Sequence, residues 1–149
     1  MDIKFMHAAL LQAKKAFELG EAPVGAVIVK DGKIISRAYN MRETKKNALL
    51  HAEISAIYKA CRKLGGWRLC GCDMYVTLEP CPMCAGAIIQ SRIDNVFFGA
   101  YDKKAGAFGS VTDLSQLLAH KVHTEGGIME KESSYIIKSF FETLRKKEK

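Results

Sequence analysis

Met74-Tyr75-Val76-Thr77-Leu78-Glu79-Pro80-Cys81-Pro82-Met83-Cys84-Ala85-Gly86-Ala87-Ile88-Ile89-Gln90-Ser91 passes from a strand pattern into a helical one across two prolines. Residues 74–78 carry the aromatic and β-branched side chains that suit a pleated surface, and Pro80 ends the run because it cannot donate to a sheet ladder. Pro82 is suited to the first position of a helix reaching about Ser91, since its fixed φ is already helical. Before this unit, Asn47 is a candidate cap for a helix running through His51 to about Leu64, where Gly65-Gly66 stops it. After it, Ile93, Val96, Phe97 and Phe98 mark a strand over 92–99. Asp31-Gly32 lies between the apolar runs 24–30 and 33–40, which is the signature of a tight antiparallel hairpin. Strand, helix, strand, helix, strand across 33–99 predicts parallel neighbours joined by right-handed crossovers.

The two ends read as amphipathic helices. Ile3, Met6, Leu10, Ala13 and Phe17 recur at three- and four-residue intervals up to Gly20. A last helix is expected from Ser133, acting as its cap, with Ile137, Phe140, Phe141 and Leu144 on one face. The stretch 100–110, with Gly106 and Gly109, reads as a loop, and no period emerges from there to Met129. With 149 residues, 48% hydrophobic and 26% charged, and no repeat, low-complexity tract or linker, the chain is expected to form one globular domain over 1–149.

Charge and cysteine usage narrow the classes of function. Asp2, Lys4, Lys14, Lys15 and Glu18 interrupt the apolar residues of the N-terminal stretch, so it lacks the run of a signal peptide or membrane span. Five cysteines, two of them in a C-x-x-C, argue against a disulfide framework and for a reducing, cytoplasmic setting. The formal charge of +7 favours a polyanionic partner. Arg37, Arg42, Lys45 and Lys46 form one basic window, and Arg145, Lys146, Lys147 and Lys149 another.

His51-Ala52-Glu53 and Pro80-Cys81-Pro82-Met83-Cys84 together supply a reaction centre. His51, Cys81 and Cys84 can provide three ligands to one zinc and leave a fourth position for water, with Glu53 free to move protons. Residues two apart on a helix normally point apart. At a helix N-terminus the conflict is removed, because side chains lean toward that end and reach past it from different sides. Cys81 is expected at the N-cap of the second helix with Cys84 one turn on, so that two positive dipole ends face one ion and favour thiolate. Zinc lowers the pKa of bound water to roughly 7. A closed structural site would need a fourth ligand from Cys61, Cys70, Cys72 or His7, but a single C-x-x-C lacks the two ligand pairs usual for such sites. His120 and His123 read as solvated or RNA-facing, and Glu79 as a hydrogen-bonded positioning group rather than a second proton shuttle.

The chain resembles the bacterial tRNA-specific adenosine deaminases of the zinc-dependent cytidine and deoxycytidylate deaminase superfamily. The match rests on H-x-E with P-C-x-x-C, on Ala22-Pro23-Val24-Gly25-Ala26-Val27, Asn40, His51-Ala52-Glu53-Ile54 and Tyr75-Val76-Thr77-Leu78-Glu79-Pro80-Cys81, and on Cys84-Ala85-Gly86-Ala87-Ile88. Gly106-Ala107-Phe108-Gly109-Ser110 and Ser139-Phe140-Phe141 extend it nearly to the end. The resemblance implies a cytidine deaminase-like three-layer α/β/α fold, a mixed five-stranded sheet with helices on both faces. It implies one zinc per subunit on His51, Cys81 and Cys84, and Glu53 as the proton shuttle for hydroxide attack at adenine C6. Asn40 matches a purine-contacting asparagine, Asp102 and Lys104 a loop at the RNA entrance, and Phe140, Phe141 and Arg145 an RNA-facing C-terminal helix, with core packing the competing role for one phenylalanine.

The implied reaction is hydrolysis of adenosine to inosine at the wobble position, on a tRNA anticodon stem-loop gripped by a homodimer. Between Ser110 and Ile128 the chain departs from the pattern: an Asn-His pair common in the family is replaced by Leu118-Ala119-His120-Lys121, and the stretch looks a few residues short. Two alternatives share parts of this reading. A free-base or nucleotide deaminase of guanine or deoxycytidylate type has the same zinc signature, but a neutral free base would not give the steep salt dependence of an enzyme that binds a phosphate backbone. A non-catalytic RNA-binding subunit would have no use for Glu53.

Overall fold

A computed structural model describes residues 1–148, and Lys149 of the basic tail lies outside them. The elements follow in the order α1 (Ile3–Glu18), β1 (Gly25–Lys30), β2 (Lys33–Tyr39), α2 (Ala52–Leu64), β3 (Cys72–Leu78), α3 (Pro82–Gln90), β4 (Asn95–Ala100), β5 (His123–Glu125) and α4 (Glu130–Glu148). The strands form one mixed sheet in the order β2-β1-β3-β4-β5. β1 is antiparallel to both β2 and β3, whereas β3, β4 and β5 run parallel.

The period of two along each strand divides the core into two layers. Ala26, Ile28, Met74, Val76, Val96 and Phe98 face α2 and α3, where Ala52, Ala56, Ala60, Ala85, Ile88 and Ile89 meet them. The alternate residues Val27, Val29, Tyr75 and Phe97 face Phe5, Met6 and Ala9 of α1, and α4 packs on the same side against β4 and α1. The small alanines along α2 let that helix lie close to the sheet, while burial of residues such as Ile28, Met74 and Ile88 contributes about 1.5–3 kcal/mol each. The result is the expected three-layer α/β/α sandwich with helices on both faces. No helix among the described residues is long and apolar enough to cross a membrane.

Four local expectations are corrected. β2 and β3 are not neighbours: the hairpin at Asp31-Gly32, whose φ values are 51° and 73°, places β1 between them. Only β3, β4 and β5 are parallel neighbours. α2 begins at Ala52 and not after Asn47. The Asn47 side chain accepts the Leu49 N–H at 2.9 Å, a local turn that competes with helix formation, and the Leu50 carbonyl accepts the Met41 N–H at 3.0 Å. His51 is consequently the N-cap, with φ −67° and ψ 156°. α4 starts three residues before Ser133, which is fully buried inside the helix and packs against Gly99. The segment after Ser110 contains β5, where His123 is the first residue, and His120 Nε2 lies 2.7 Å from the Ile93 carbonyl oxygen.

Candidate metal centre and active site

The chain brings two helix N-termini to one end of the sheet. Leu78 ends β3, Pro80 prevents its continuation, and Cys81 caps α3 with extended backbone at φ −75° and ψ 173°. Pro82 opens the helix as expected, and the Ala85 N–H donates to the Cys81 carbonyl at 2.8 Å, which turns Cys84 back over the same end. His51 holds the equivalent position on α2, and Glu53 stands in its first turn, where the dipole favours a negative charge.

His51 Nδ1 lies 3.7 Å from Cys81 Sγ and 3.5 Å from Cys84 Sγ. All three atoms fall within 4.8 Å of one another. Zinc bonds of about 2.3 Å to sulfur and 2.0–2.1 Å to nitrogen, at tetrahedral angles, separate ligand atoms by roughly 3.5–3.8 Å, so these residues fit that ion. No fourth histidine, cysteine, aspartate or glutamate joins the cluster among the described residues. Cys61 Sγ is directed at the Trp67 carbonyl and Cys72 Sγ at that of Cys70, so neither closes the site.

The electrostatics suit a cation. A hydrogen bond from Cys84 lowers the Cys81 thiol to about 4 against the opposing effect of burial, and His51 adds to the lowering. Cys84 is pushed strongly upward by that same hydrogen bond and by its own burial. His51 is raised by its hydrogen bond with Cys81, against burial. Two thiols, one of them held well below its ordinary value, beside an imidazole make a donor set matched to a borderline-soft metal. Glu53 is only 4% exposed, and burial followed by the Cys81 charge raises it to about 7, with His51 pulling the other way. A carboxyl near neutrality can both accept and return a proton at working pH.

A cavity of about 520 Å³ opens over this cluster. Among the residues expected at the site, His51, Glu53, Cys81, Asn40, Asp102, Phe140 and Phe141 line it, while Cys84 is buried beneath. Lys104 and Arg145 are exposed and do not line the cavity. The two phenylalanines divide their roles. Phe140 is buried and meets Phe17 edge-on at 5.7 Å between ring centroids, whereas Phe141 is 43% exposed. Asn40 sits just beyond β2, where its Nδ2 donates to the Ala22 carbonyl and its Oδ1 accepts the Arg42 N–H, both at 3.3 Å. These contacts orient the amide while leaving one N–H and one lone pair.

Glu79 is 1% exposed and accepts hydrogen bonds from the N–H groups of Asp102, Phe108 and Ser110, each at 3.1 Å, and from the Ser110 hydroxyl. It gathers the 102–110 loop into the cavity wall. The loop must pass so close that a Cβ on Gly106 would stand 2.4 Å from the Glu79 carboxylate. Asp102 fixes the loop's opening by accepting the N–H groups of Lys104 and Ala105 at 3.0 and 3.1 Å. Sequence reasoning missed Glu21, a fully buried carboxylate that also lines the cavity. The only available signal was one acid between Gly20 and an apolar run.

Residues 1–100 match the family model for the cytidine and deoxycytidylate deaminase zinc-binding region. The tRNA-specific adenosine deaminase of Bacillus subtilis (strain 168) is 48% identical, with 99% of this chain and 93% of that protein covered. A structure solved in work on A-to-I editing by tRNA:A34 deaminases at the wobble position of transfer RNA superposes with a TM-score of 0.85 at 41% identity, covering 91% of this chain and 99% of that one. A guanine deaminase from Bacillus subtilis superposes with a TM-score of 0.65 at 43% identity, covering 68% and 66% of the two chains.

Proposed function

The chain belongs to the cytidine and deoxycytidylate deaminase zinc-binding family, and we propose that it hydrolyses adenosine to inosine at the wobble position of a tRNA anticodon. In this reading His51, Cys81 and Cys84 hold one zinc per subunit. The metal supplies Lewis-acid activation of a solvent molecule at neutral pH.

The rest of the work falls to the protein's own groups. Glu53 accepts a proton from water as the oxygen bonds to adenine C6, returns it to N1, and delivers the second to the amino group, which leaves as ammonia. Adenosine and water thus give inosine and ammonia. Asn40 has a free donor and a free acceptor for the purine edge. Phe141 offers an exposed aromatic face for a splayed base. Arg42, Lys45 and Lys46 in the 41–46 loop, together with Arg145 on α4, supply cations for phosphate. The whole chain serves as one domain in a cytoplasmic homodimer across whose boundary the anticodon loop lies, with Asp102 and Lys104 at the RNA entrance.

The observation that carries this reading is likeness to a tRNA-specific adenosine deaminase running through 99% of the chain, α4 included. The 43% identity to the guanine deaminase from Bacillus subtilis, over 68% of this chain, supports a second reading, turnover of a free purine. Zinc-loaded protein given a tRNA transcript with adenosine at the first anticodon position, followed by sequencing for inosine, separates the two. Inosine at that position is expected; conversion of free guanine with the transcript untouched would favour the second.

A further inference from the structure

Burying a carboxylate is costly unless donors meet its oxygens, so a fully buried glutamate identifies backbone that must stay in place. Glu21 follows the left-handed turn at Gly20 and is 0% exposed. Its own N–H returns to the Ala16 carbonyl at 2.9 Å, which fixes it to the end of α1. Its carboxylate reaches across to the basic loop: Oε1 accepts the Glu43 N–H at 3.1 Å and Oε2 accepts the Thr44 N–H at 2.5 Å. Among the described residues no lysine or arginine forms an ion pair with it. Two consecutive amides therefore do what a cation would otherwise do, and each is a charge-assisted bond.

We propose that Glu21 is a positioning residue that tethers the 41–46 loop to the cavity wall and so sets where that loop presents its cations to RNA. The proposal rests on the RNA-directed reading above and deepens it. The loop emerges from Asn40, which is bonded to Ala22 on one side and to the Arg42 N–H on the other. Met41 is held by Leu50, and Asn47 by the Arg42 carbonyl. Arg42 and Glu43 line the cavity, whereas Lys45 and Lys46 are exposed just beyond. A loop of this length with three cations would sample many orientations on its own, and ordering it before RNA arrives removes that entropic cost from binding. Both Glu21 oxygens accept bonds from the loop, so its influence passes through that backbone.

The test uses zinc-loaded protein carrying Glu21→Gln, which keeps the shape but turns an NH₂ toward one of the two donors, and Glu21→Ala, which removes both acceptors. Amide hydrogen exchange in the absence of RNA should accelerate at Glu43 and Thr44 by roughly tenfold or more, with α3 protection unchanged. With an anticodon stem-loop RNA, KM should rise by about tenfold, more for Glu21→Ala than for Glu21→Gln, while kcat stays within about twofold and zinc content is unaltered. Unchanged exchange at Glu43 and Thr44, or a fall in kcat at constant KM, would overturn the proposal. So would global loss of protection or of zinc in both variants, since Glu21 would then be holding the fold and not the loop. If the unaltered protein fails to modify RNA, the functional reading falls, and exchange at the two amides still decides whether the tether exists.

Discussion

Cys84 Sγ stands 3.5 Å from His51 Nδ1 although the two residues belong to different helices on one face of the sheet. Each helix begins with an extended cap residue, His51 or Cys81, so the chain turns its candidate ligands back over its own N-termini. The N–H groups there point at the same region, which makes it favourable for thiolate and carboxylate alike.

Removing one member of this set should release the metal. Cys84→Ser is expected to lower zinc affinity by at least about a hundredfold. Elemental analysis after dialysis against a chelator measures it; retention of one zinc per chain would show that Cys84 is not a ligand.

Glu53→Gln separates proton transfer from metal binding. Loss of a positioned general acid–base should lower kcat by about 10²–10⁴-fold, with zinc content and melting temperature close to those of the unaltered protein. A rate within a few-fold of normal would assign the proton transfer elsewhere.

Gly106→Ala tests the wall built on Glu79. Its methyl group would press on a carboxylate that four donors hold in place, so the 102–110 loop has to shift. Overpacking of this kind costs about 1–3 kcal/mol, readable from chemical denaturation. Stability within about 0.5 kcal/mol of normal would mean that the loop yields freely.

Acid should weaken the protein partly through Glu21. Burial raises its carboxyl, but hydrogen bonds from Thr44 and Glu43 and the nearby charge of Arg42 outweigh that and hold it below the ordinary carboxylate range. A depressed folded pKa means stability fully present above the unfolded value of about 4.3 and lost as pH falls through the folded pKa. Denaturation midpoints between neutral pH and about pH 3 should therefore fall further for the unaltered protein than for Glu21→Gln. Parallel curves would remove Glu21 from the acid response.

Elements set by local pattern were legible in the sequence. The stripe from Ile3 to Phe17, the Asp31-Gly32 hairpin and the Pro80–Pro82 switch each depend on neighbours within a few residues, and each appears where expected. Contacts between distant parts were not legible. Asn47 has the chemistry of a helix cap, but it closes a turn with Leu50, which Met41 holds in place, so the helix waits until Ala52. Ser133 looks like a cap until Gly99 admits its side chain into the interior. β5 has three residues, too few to display a period. At the site, His51, Cys81 and Cys84 could be picked out as candidates because their residue types and the C-x-x-C spacing suit one ion, and Glu53 because it lies two residues from the histidine; the structure brings all four together. Glu21 could not, because its partners are backbone amides more than twenty positions away.

Running the reaction in ¹⁸O-labelled water tests hydrolytic deamination of the anticodon adenosine most directly. Nucleosides released from the treated tRNA should contain inosine from the first anticodon position alone, with one ¹⁸O per base and one ammonia released per inosine. Inosine without the label, or labelled product only from free guanine beside an unchanged tRNA, would contradict it.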